Sequence, residues 1–291
     1  MPGRGRSRHG GRVTQQVLAG GGGTRRSRRG GRLSAGRIVR SRGAWELGLV
    51  LVLYVAYSAS RLLANGSMGP AVERAGELLH LERLLLLDWE SSLNELFVEV
   101  RAVGVFGSFW YATAHYVVTA VVLVWLYRQG AVRYVPARRA LVAATLLALT
   151  VYLLMPTAPP RLSPGFVDVL ELHSAQGWWG GDASAPKGLG GLTNQLAALP
   201  SLHAGWALWV AVMLQRHARP PWRLLGWLHA GITAVVVVGT GNHWVLDVVT
   251  GWAVVVLGFA VVRFASTALP GPVEMHSPRP VDPAEVHLRR G

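Results

Sequence analysis

The sequence predicts an all-α integral membrane protein, a bundle of six transmembrane helices with amphipathic helices at its outer face. Hydrophobic residues make up 51% of the 291 positions, whereas only 15% are charged, well below the roughly 25% typical of soluble domains. Six apolar runs approach the ~20 residues that cross a bilayer, and none alternates with a period of two, which favours helices over a barrel. Basic residues, finally, are concentrated in alternate loops.

The six apolar runs divide the chain into three regions. The first run follows a long basic stretch that is unlike a standard signal peptide, so we expect a retained signal-anchor helix. We predict a disordered Arg/Gly-rich tail over 1–42, a membrane domain over 43–266 and a C-terminal cytoplasmic tail over 267–291. The predicted spans are residues 44–64, 104–127, 138–157, 200–217, 221–239 and 242–265.

The distribution of arginine predicts the orientation. Residues 1–42 hold 12 arginines and no acid, whereas residues 65–103 carry three arginines against seven acids. The loops after the second and fourth spans hold four and three arginines. Because basic loops stay cytoplasmic, we expect a multi-pass protein of the cell membrane with both termini in the cytoplasm. The net charge of +14 then reflects contact with anionic lipid and not specific nucleic-acid binding.

Two loops on the predicted outer side are long. In residues 70–100, acidic and apolar positions segregate at helical spacing, which predicts one or two amphipathic helices on the membrane interface. Residues 158–199 are rich in glycine and proline, and a connection of this length is typical of a functional loop. The chain has no cysteine, which excludes disulfides and cysteine-ligated metal sites.

Two histidines and an aspartate lie at the outer ends of predicted spans. His203 is near the start of the fourth span, and His243 and Asp247 are near the start of the sixth. On a helix, His243 and Asp247 share one face, about 6 Å apart along the axis. A charge within the membrane is costly, so Asp247 is a functional candidate. We expect it to accept a hydrogen bond from one nitrogen of His243 and to leave the other as a nucleophile.

The same outer ends carry the other groups that phosphoryl transfer needs. His203 would protonate a leaving oxygen and then, as a base, activate water or an alcohol. The guanidinium of Arg161 suits phosphate oxygens, and Ser201 and the first backbone N–H groups of the fourth span would add donors. These roles need no metal and no other cofactor, so we predict neither.

Three motifs resemble those of the type 2 phosphatidic acid phosphatase (PAP2) superfamily. The segments 200–203 (Pro-Ser-Leu-His) and 243–251 resemble its second and third motifs, and Pro159-Pro160-Arg161 resembles the reduced first motif of the inositol phosphorylceramide synthase branch. The stretch from Asn194 to His203 is also similar to that branch. The resemblance implies a six-helix bundle of the PAP2/haloperoxidase-like type, with His243 as nucleophile, Asp247 as its partner and His203 as the leaving-group acid.

Two cations of the commoner superfamily motifs are missing. Leu154 stands where the first motif usually has lysine, and Val236 and Val237 stand where the third motif usually has Ser-Arg. We expect other polar residues to compensate or to bind substrate in a further way: Thr240, Asn242, Lys187, Asn194 and His115.

The expected function is that of a lipid phosphatase or phosphotransferase that acts on a lipid phosphate or diphosphate through a phosphohistidine intermediate. Hydrolysis is the first expectation. Transfer of an inositol-phosphoryl or other phospho-headgroup to a lipid alcohol is the alternative, because transferase branches also depart from the standard motifs. An alternative of another class is a non-enzymatic transporter or scaffold that uses His243 and Asp247 as a proton relay. The expected partners are the bilayer and the lipid phosphate.

Overall fold

The computed structural model describes residues 68–179, 187 and 195–268, together with four positions between 46 and 55. These residues form eight α-helices and no β-strand, as the predicted all-α class requires. The helices are α1 (Met68–Leu84), α2 (Glu90–Glu99), α3 (Arg101–Arg128), α4 (Ala131–Leu154), α5 (Val169–Leu172), α6 (Leu202–His217), α7 (Pro220–Gly239) and α8 (Val245–Ala268).

Four helices, α3, α4, α7 and α8, are long and apolar enough to cross a membrane. The predicted span 200–217 corresponds to α6, which has 16 residues. At 1.5 Å per residue, α6 is about 24 Å long and is shorter than the ~30 Å hydrocarbon core. Most of the predicted span 44–64 lies outside the described residues, as do both predicted tails. The described part of the chain therefore contains four candidate spans where the sequence predicted six.

The outward surface of the long helices is apolar. On α3, the side chains of Val117, Val121 and Val124 are more than half exposed. A contiguous apolar surface of this kind is costly in water, whereas lipid tails solvate it. The four apolar helices thus support a membrane protein.

The sequence predicted one or two helices within residues 70–100, and the structure has two, α1 and α2. Both pack on the bundle. Phe97 of α2 is buried between Gly107 of α3 and Gly239 of α7, and a Cβ at either glycine would lie 2.5 Å from a Phe97 ring carbon. Glycine at these two positions is therefore what lets α2 dock, and α2 in turn places Glu90 near the start of α8.

The helices α6 and α8 cross where both have small residues. A Cβ at Gly251 of α8 would lie 2.2 Å from the carbonyl oxygen of Ser201, and a Cβ at Gly205 of α6 would lie 2.8 Å from the carbonyl oxygen of Gly251. Backbone atoms cannot move aside as a flexible side chain can. This close contact positions the beginning of α6 next to the first turns of α8, and so brings the two histidine-containing segments of the sequence together.

Candidate active site

The connection between α7 and α8 is a tight turn that ends at His243. Gly241 has a φ of +74°, a left-handed conformation that favours glycine, and a Cβ there would lie 2.8 Å from the carbonyl oxygen of Val167. The N–H of His243 donates to the carbonyl of Val237 at 3.1 Å. The turn folds back on α7 and holds the backbone of His243 against that helix.

The imidazole of His243 is only 4% exposed and lies between two acceptors. Its Nδ1 is 2.9 Å from the carbonyl oxygen of Ala198 and 3.4 Å from Oδ2 of Asp247. A carbonyl oxygen only accepts, so Nδ1 carries the hydrogen and Nε2 has a free lone pair. Burial, aided by the charge of Arg161, lowers the pKa of His243 to about 3, although the Ala198 hydrogen bond acts in the opposite direction. The ring is therefore neutral at pH 7.

The arrangement of Asp247 differs from the predicted one. The helix α8 begins at Val245, so His243 precedes the helix and the two residues do not share a helical face. Oδ2 of Asp247 instead accepts the N–H of Trp244 at 2.8 Å, and the N–H of Asp247 donates to the carbonyl of Trp244 at 3.1 Å. This reciprocal pair caps the helix. Asp247 stays beside His243, but the nearest acceptor for the imidazole proton is Ala198.

His203 lies in the first turn of α6, and its ring is next to that of His243. The two ring centroids are 5.7 Å apart. The ring of His203 stacks on Tyr111 at 4.3 Å and lies 3.8 Å from the ring of His115, both on α3. The structure therefore brings the two predicted histidines together. His115 contacts the ring of His203.

Ser201 is the N-cap of α6. Its Oγ accepts the N–H of Ala204 at 3.3 Å, and its own N–H donates to the carbonyl of Asp247 at 2.8 Å. The hydroxyl of Tyr152 donates to the carbonyl of Pro200 at 2.7 Å and holds the same turn. The side chain of Ser201, predicted to bind phosphate, is fully buried and serves the helix end.

Arg161 is held by two side chains and is 7% exposed. Its Nε is 3.2 Å from Oδ2 of Asp168, and its Nη1 donates to Oδ1 of Asn242 at 2.5 Å. Asn242 in turn donates from Nδ2 to Oγ1 of Thr240 at 3.1 Å. Thr240 and Asn242, predicted to bind substrate, thus orient the guanidinium. Asp168 was not predicted. Neither of these two contacts uses Nη2 of Arg161.

The other predicted cation, Lys187, is not brought to this group. Its Nζ donates to the carbonyl of Gly177 at 3.0 Å, and its contacts within the described residues include none of the other candidates. Asn194 lies outside the described residues. At the positions of the missing motif cations, Leu154 is 74% exposed and Val237 is buried in an apolar cluster.

Two buried glutamates at the start of α8 were missed by sequence reasoning. Oε1 of Glu90 accepts the N–H of Val245 at 2.9 Å, and Oε1 of Glu82 accepts the N–H of Leu246 at 2.7 Å. They come from helices that are 155 and 164 residues away, so no local pattern signals the contact. Within the described ranges, no group of three or more His, Cys, Asp or Glu is arranged to hold a metal ion.

A family model described as the PAP2 superfamily matches residues 76–261, which is more than half of the chain. The chain belongs to the PAP2 superfamily. The match includes Arg161, His203, His243 and Asp247, and it confirms the resemblance at the level of the superfamily. No curated protein and no solved structure matches the chain.

Membership in the PAP2 superfamily points to a phosphatase-type enzyme, a phosphatase or phosphotransferase. The geometry of this PAP2 protein fits such chemistry in three ways. His243 offers a neutral imidazole nitrogen, and the titratable ring of His203 lies 5.7 Å from the ring of His243, between ring centroids. Arg161 adds a guanidinium that Asp168 and Asn242 orient. A nucleophile, an acid/base and an anion-binding group are the parts that phosphoryl transfer requires.

Proposed function

We propose that this PAP2 protein is a multi-pass, metal-independent membrane enzyme that hydrolyses a lipid phosphate or diphosphate through a phosphohistidine on His243. The observation that supports it most is the placement of the His243 imidazole, whose Nδ1 is 2.9 Å from the carbonyl oxygen of Ala198 and whose ring lies beside that of His203. A proton-relay transporter has no need for a nucleophilic nitrogen next to a second imidazole and a held guanidinium, so the enzyme explains more of the geometry.

The proposed reaction has two steps. In the first, Nε2 of His243 forms a bond to phosphorus, the bond from phosphorus to the leaving oxygen breaks, and His203 gives that oxygen a proton. In the second, water attacks the phosphohistidine and gives its proton to His203, and the bond between phosphorus and nitrogen breaks. His203 thus returns to its starting protonation state and His243 to its neutral form.

Arg161 is proposed to bind the phosphoryl oxygens through Nη2, because Asp168 and Asn242 occupy the other two nitrogens. Arg161→Lys keeps the charge but loses the planar fork, so we expect turnover to fall about 100-fold. Initial rates on one lipid phosphate would measure this. The matched control is Arg139→Lys, an exposed arginine on α4, which should keep the wild-type rate. Equal rates for the two variants would show that Arg161 does not bind the phosphoryl group.

Transfer of a phospho-headgroup to a lipid alcohol is the second candidate, as in the inositol phosphorylceramide synthase branch. It is favoured by the shortage of cations, because Leu154 points outward and Val237 is packed among apolar residues. A phosphodiester donor carries one charge fewer than a phosphomonoester and so needs fewer cations. With an inositol-containing phospholipid as donor, a transferase makes product only when a lipid alcohol is added, whereas a phosphatase releases phosphate from lipid phosphates without one.

We propose that the site faces outward, with both termini in the cytoplasm, the membrane domain over 43–266 and tails over 1–42 and 267–291. Because the chain has no cysteine, single introduced cysteines report topology directly. Lys187→Cys should react with a membrane-impermeant thiol reagent in intact cells, and Arg133→Cys, exposed in the first turn of α4, should react only after permeabilisation. The opposite pattern would place the site in the cytoplasm.

Purified protein in lipid nanodiscs, assayed against a panel of lipid phosphates and diphosphates with EDTA present, tests the proposed function. Release of phosphate, or exchange of a headgroup, is expected from at least one of them. If proton or ion flux is found in liposomes and no lipid phosphate is consumed, the chain is a transporter and the proposal fails.

A further inference from the structure

Glu82 of α1 and Glu90 of α2 are glutamates buried to 0% and 1% exposure, and both reach the first turn of α8. Each uses its Oε1 to accept one backbone N–H, Leu246 for Glu82 and Val245 for Glu90. A helix leaves its first N–H groups without internal partners, and the helix dipole favours negative charge there. Two side chains from outside α8 therefore satisfy the beginning of this helix.

The other oxygen of each glutamate, Oε2, is buried as well. Neither Oε2 has a hydrogen-bond partner among the described residues, and the two carboxyl groups are close enough for a shared proton to join them. A hydrogen bond between two carboxyl groups requires a proton on one of them. Burial, together with the hydrogen bond to Glu90, raises the pKa of Glu82 to about 9, and the backbone hydrogen bond from Leu246 only partly offsets this. The pair of carboxyl groups therefore holds one proton at neutral pH.

The two N–H groups that the glutamates bind lie between the reacting residues of the chain. Val245 and Leu246 follow His243 and Trp244, and they precede Asp247. A shift of this turn moves His243 away from Ala198 and His203, which sit on other segments. Small shifts of catalytic groups matter, because a misplacement of about 1 Å can lower the rate about 100-fold.

We propose that Glu82 and Glu90 are positioning residues that share one proton, clamp the first turn of α8 and thereby hold His243 and Asp247 in reacting geometry. The catalytic part of this inference rests on the proposed function of the site. Neither glutamate contacts substrate. Their effect is transmitted through the backbone of Val245 and Leu246.

The clamp makes the site sensitive to alkaline pH. The titratable groups that face Glu82 are Glu90 of α2 and Asp247 of α8. When Glu82 loses its proton near pH 9, two like charges oppose each other in a buried space and the clamp opens. The native protein binds this proton more tightly than the unfolded chain does, because the ordinary pKa of a glutamate is 4.5. Stability is therefore lost as pH rises from about 4.5 to about 9, and the loss ends above that range.

Glu82→Gln tests the shared proton. The amide oxygen still accepts the N–H of Leu246, and the amide NH₂ donates to Glu90 without titrating. We expect the variant to keep kcat at pH 7 within a few-fold of wild type, and to retain activity at pH 9–10 where wild type declines. Glu82→Ala should lower kcat about 100-fold with KM little changed, because the turn is freed but the phosphate-binding group is intact. Glu77→Gln, an exposed glutamate on the same helix, is the matched control and should behave as wild type.

Two readouts without substrate separate this inference from the proposed function. In the pH range from 6 to 9, the melting temperature of wild type should fall and that of Glu82→Gln should fall less. Hydrogen exchange of the segment 244–248 should quicken in Glu82→Ala, and in wild type at pH 10, relative to a distant helix. If no lipid is turned over but both results appear, the proposed function fails and the clamp stands. Equal pH dependence of melting in wild type and Glu82→Gln overturns the clamp, whatever the activity.

Discussion

Replacement of His243 by glutamine is expected to reduce turnover of the lipid substrate by about 10⁴-fold or more. The amide NH₂ of glutamine can still donate to the carbonyl of Ala198, and the side chain fills similar space, so the fold should survive. What disappears is the nitrogen that attacks phosphorus. The measurement is the initial rate of phosphate release in nanodiscs, together with the melting temperature of both proteins.

His80→Gln is the control for the His243 variant. His80 is an exposed histidine on α1, and its replacement should leave the rate unchanged. Substantial turnover by His243→Gln, at a melting temperature equal to that of wild type, would show that the nucleophile lies elsewhere. Loss of turnover accompanied by unfolding would instead show that His243 is needed for the fold, and His243→Asn would then repeat the comparison.

Gly251→Ala is expected to give the largest loss of stability of any single methyl group added to the described helices. The new Cβ would lie 2.2 Å from the carbonyl oxygen of Ser201, so α6 and α8 must separate. Overpacking of this kind costs about 3 kcal/mol, which corresponds to a fall of about 10 °C in melting temperature for a domain of this size. Turnover should fall as well, because separation of the helices moves His203 away from His243.

Gly231→Ala is the matched control for that substitution. Gly231 lies within α7, and a Cβ there meets no atom within 4 Å. Alanine in a helix is more favourable than glycine by up to about 1 kcal/mol, so the melting temperature should stay the same or rise slightly. Equal melting temperatures for the two variants would mean that α6 and α8 are not in close contact at Gly251.

Much of the site was predictable because its residue types are unusual for apolar helices. A histidine at the end of an apolar run, and an aspartate inside another, are costly unless they have a function, and both stood out in the sequence. The spacing of His243 and Asp247 suggested one helical face, and this was wrong in detail. The first N–H groups of a helix need acceptors, and Asp247 serves as one of these, so α8 begins after His243.

The residues that sequence reasoning missed depend on contacts between distant segments. Glu82 and Glu90 fit the acidic face of an amphipathic helix, and nothing near them in the chain indicates that they are buried against Val245 and Leu246. Asp168 likewise looks like an ordinary loop acid until the turn at Gly241 brings Asn242 to the same guanidinium. The pattern of one segment shows which face is polar but does not show what that face meets.

The fold was predictable where hydrophobic runs were long. The helices α3, α4, α7 and α8 follow runs that are about as long as a bilayer crossing requires. The run at 200–217 gave α6, whose 16 residues begin only after the Pro200–Ser201 turn. That turn is part of the site, so the helix is shortened by the same residues that place His203 next to His243.

The proposed mechanism requires that His243 becomes phosphorylated during turnover. A lipid diphosphate is a suitable substrate for testing this, because its leaving group departs without strong acid catalysis, and His203→Gln slows the attack of water on the intermediate. After mixing and denaturation at alkaline pH, which preserves phosphohistidine, peptide mass spectrometry locates the phosphoryl group. The expected result is a phosphorylated peptide that carries the group on His243 and is more abundant in His203→Gln than in wild type. A protein that turns over its substrate with no phosphoryl group on His243, or with one on another residue, would contradict it.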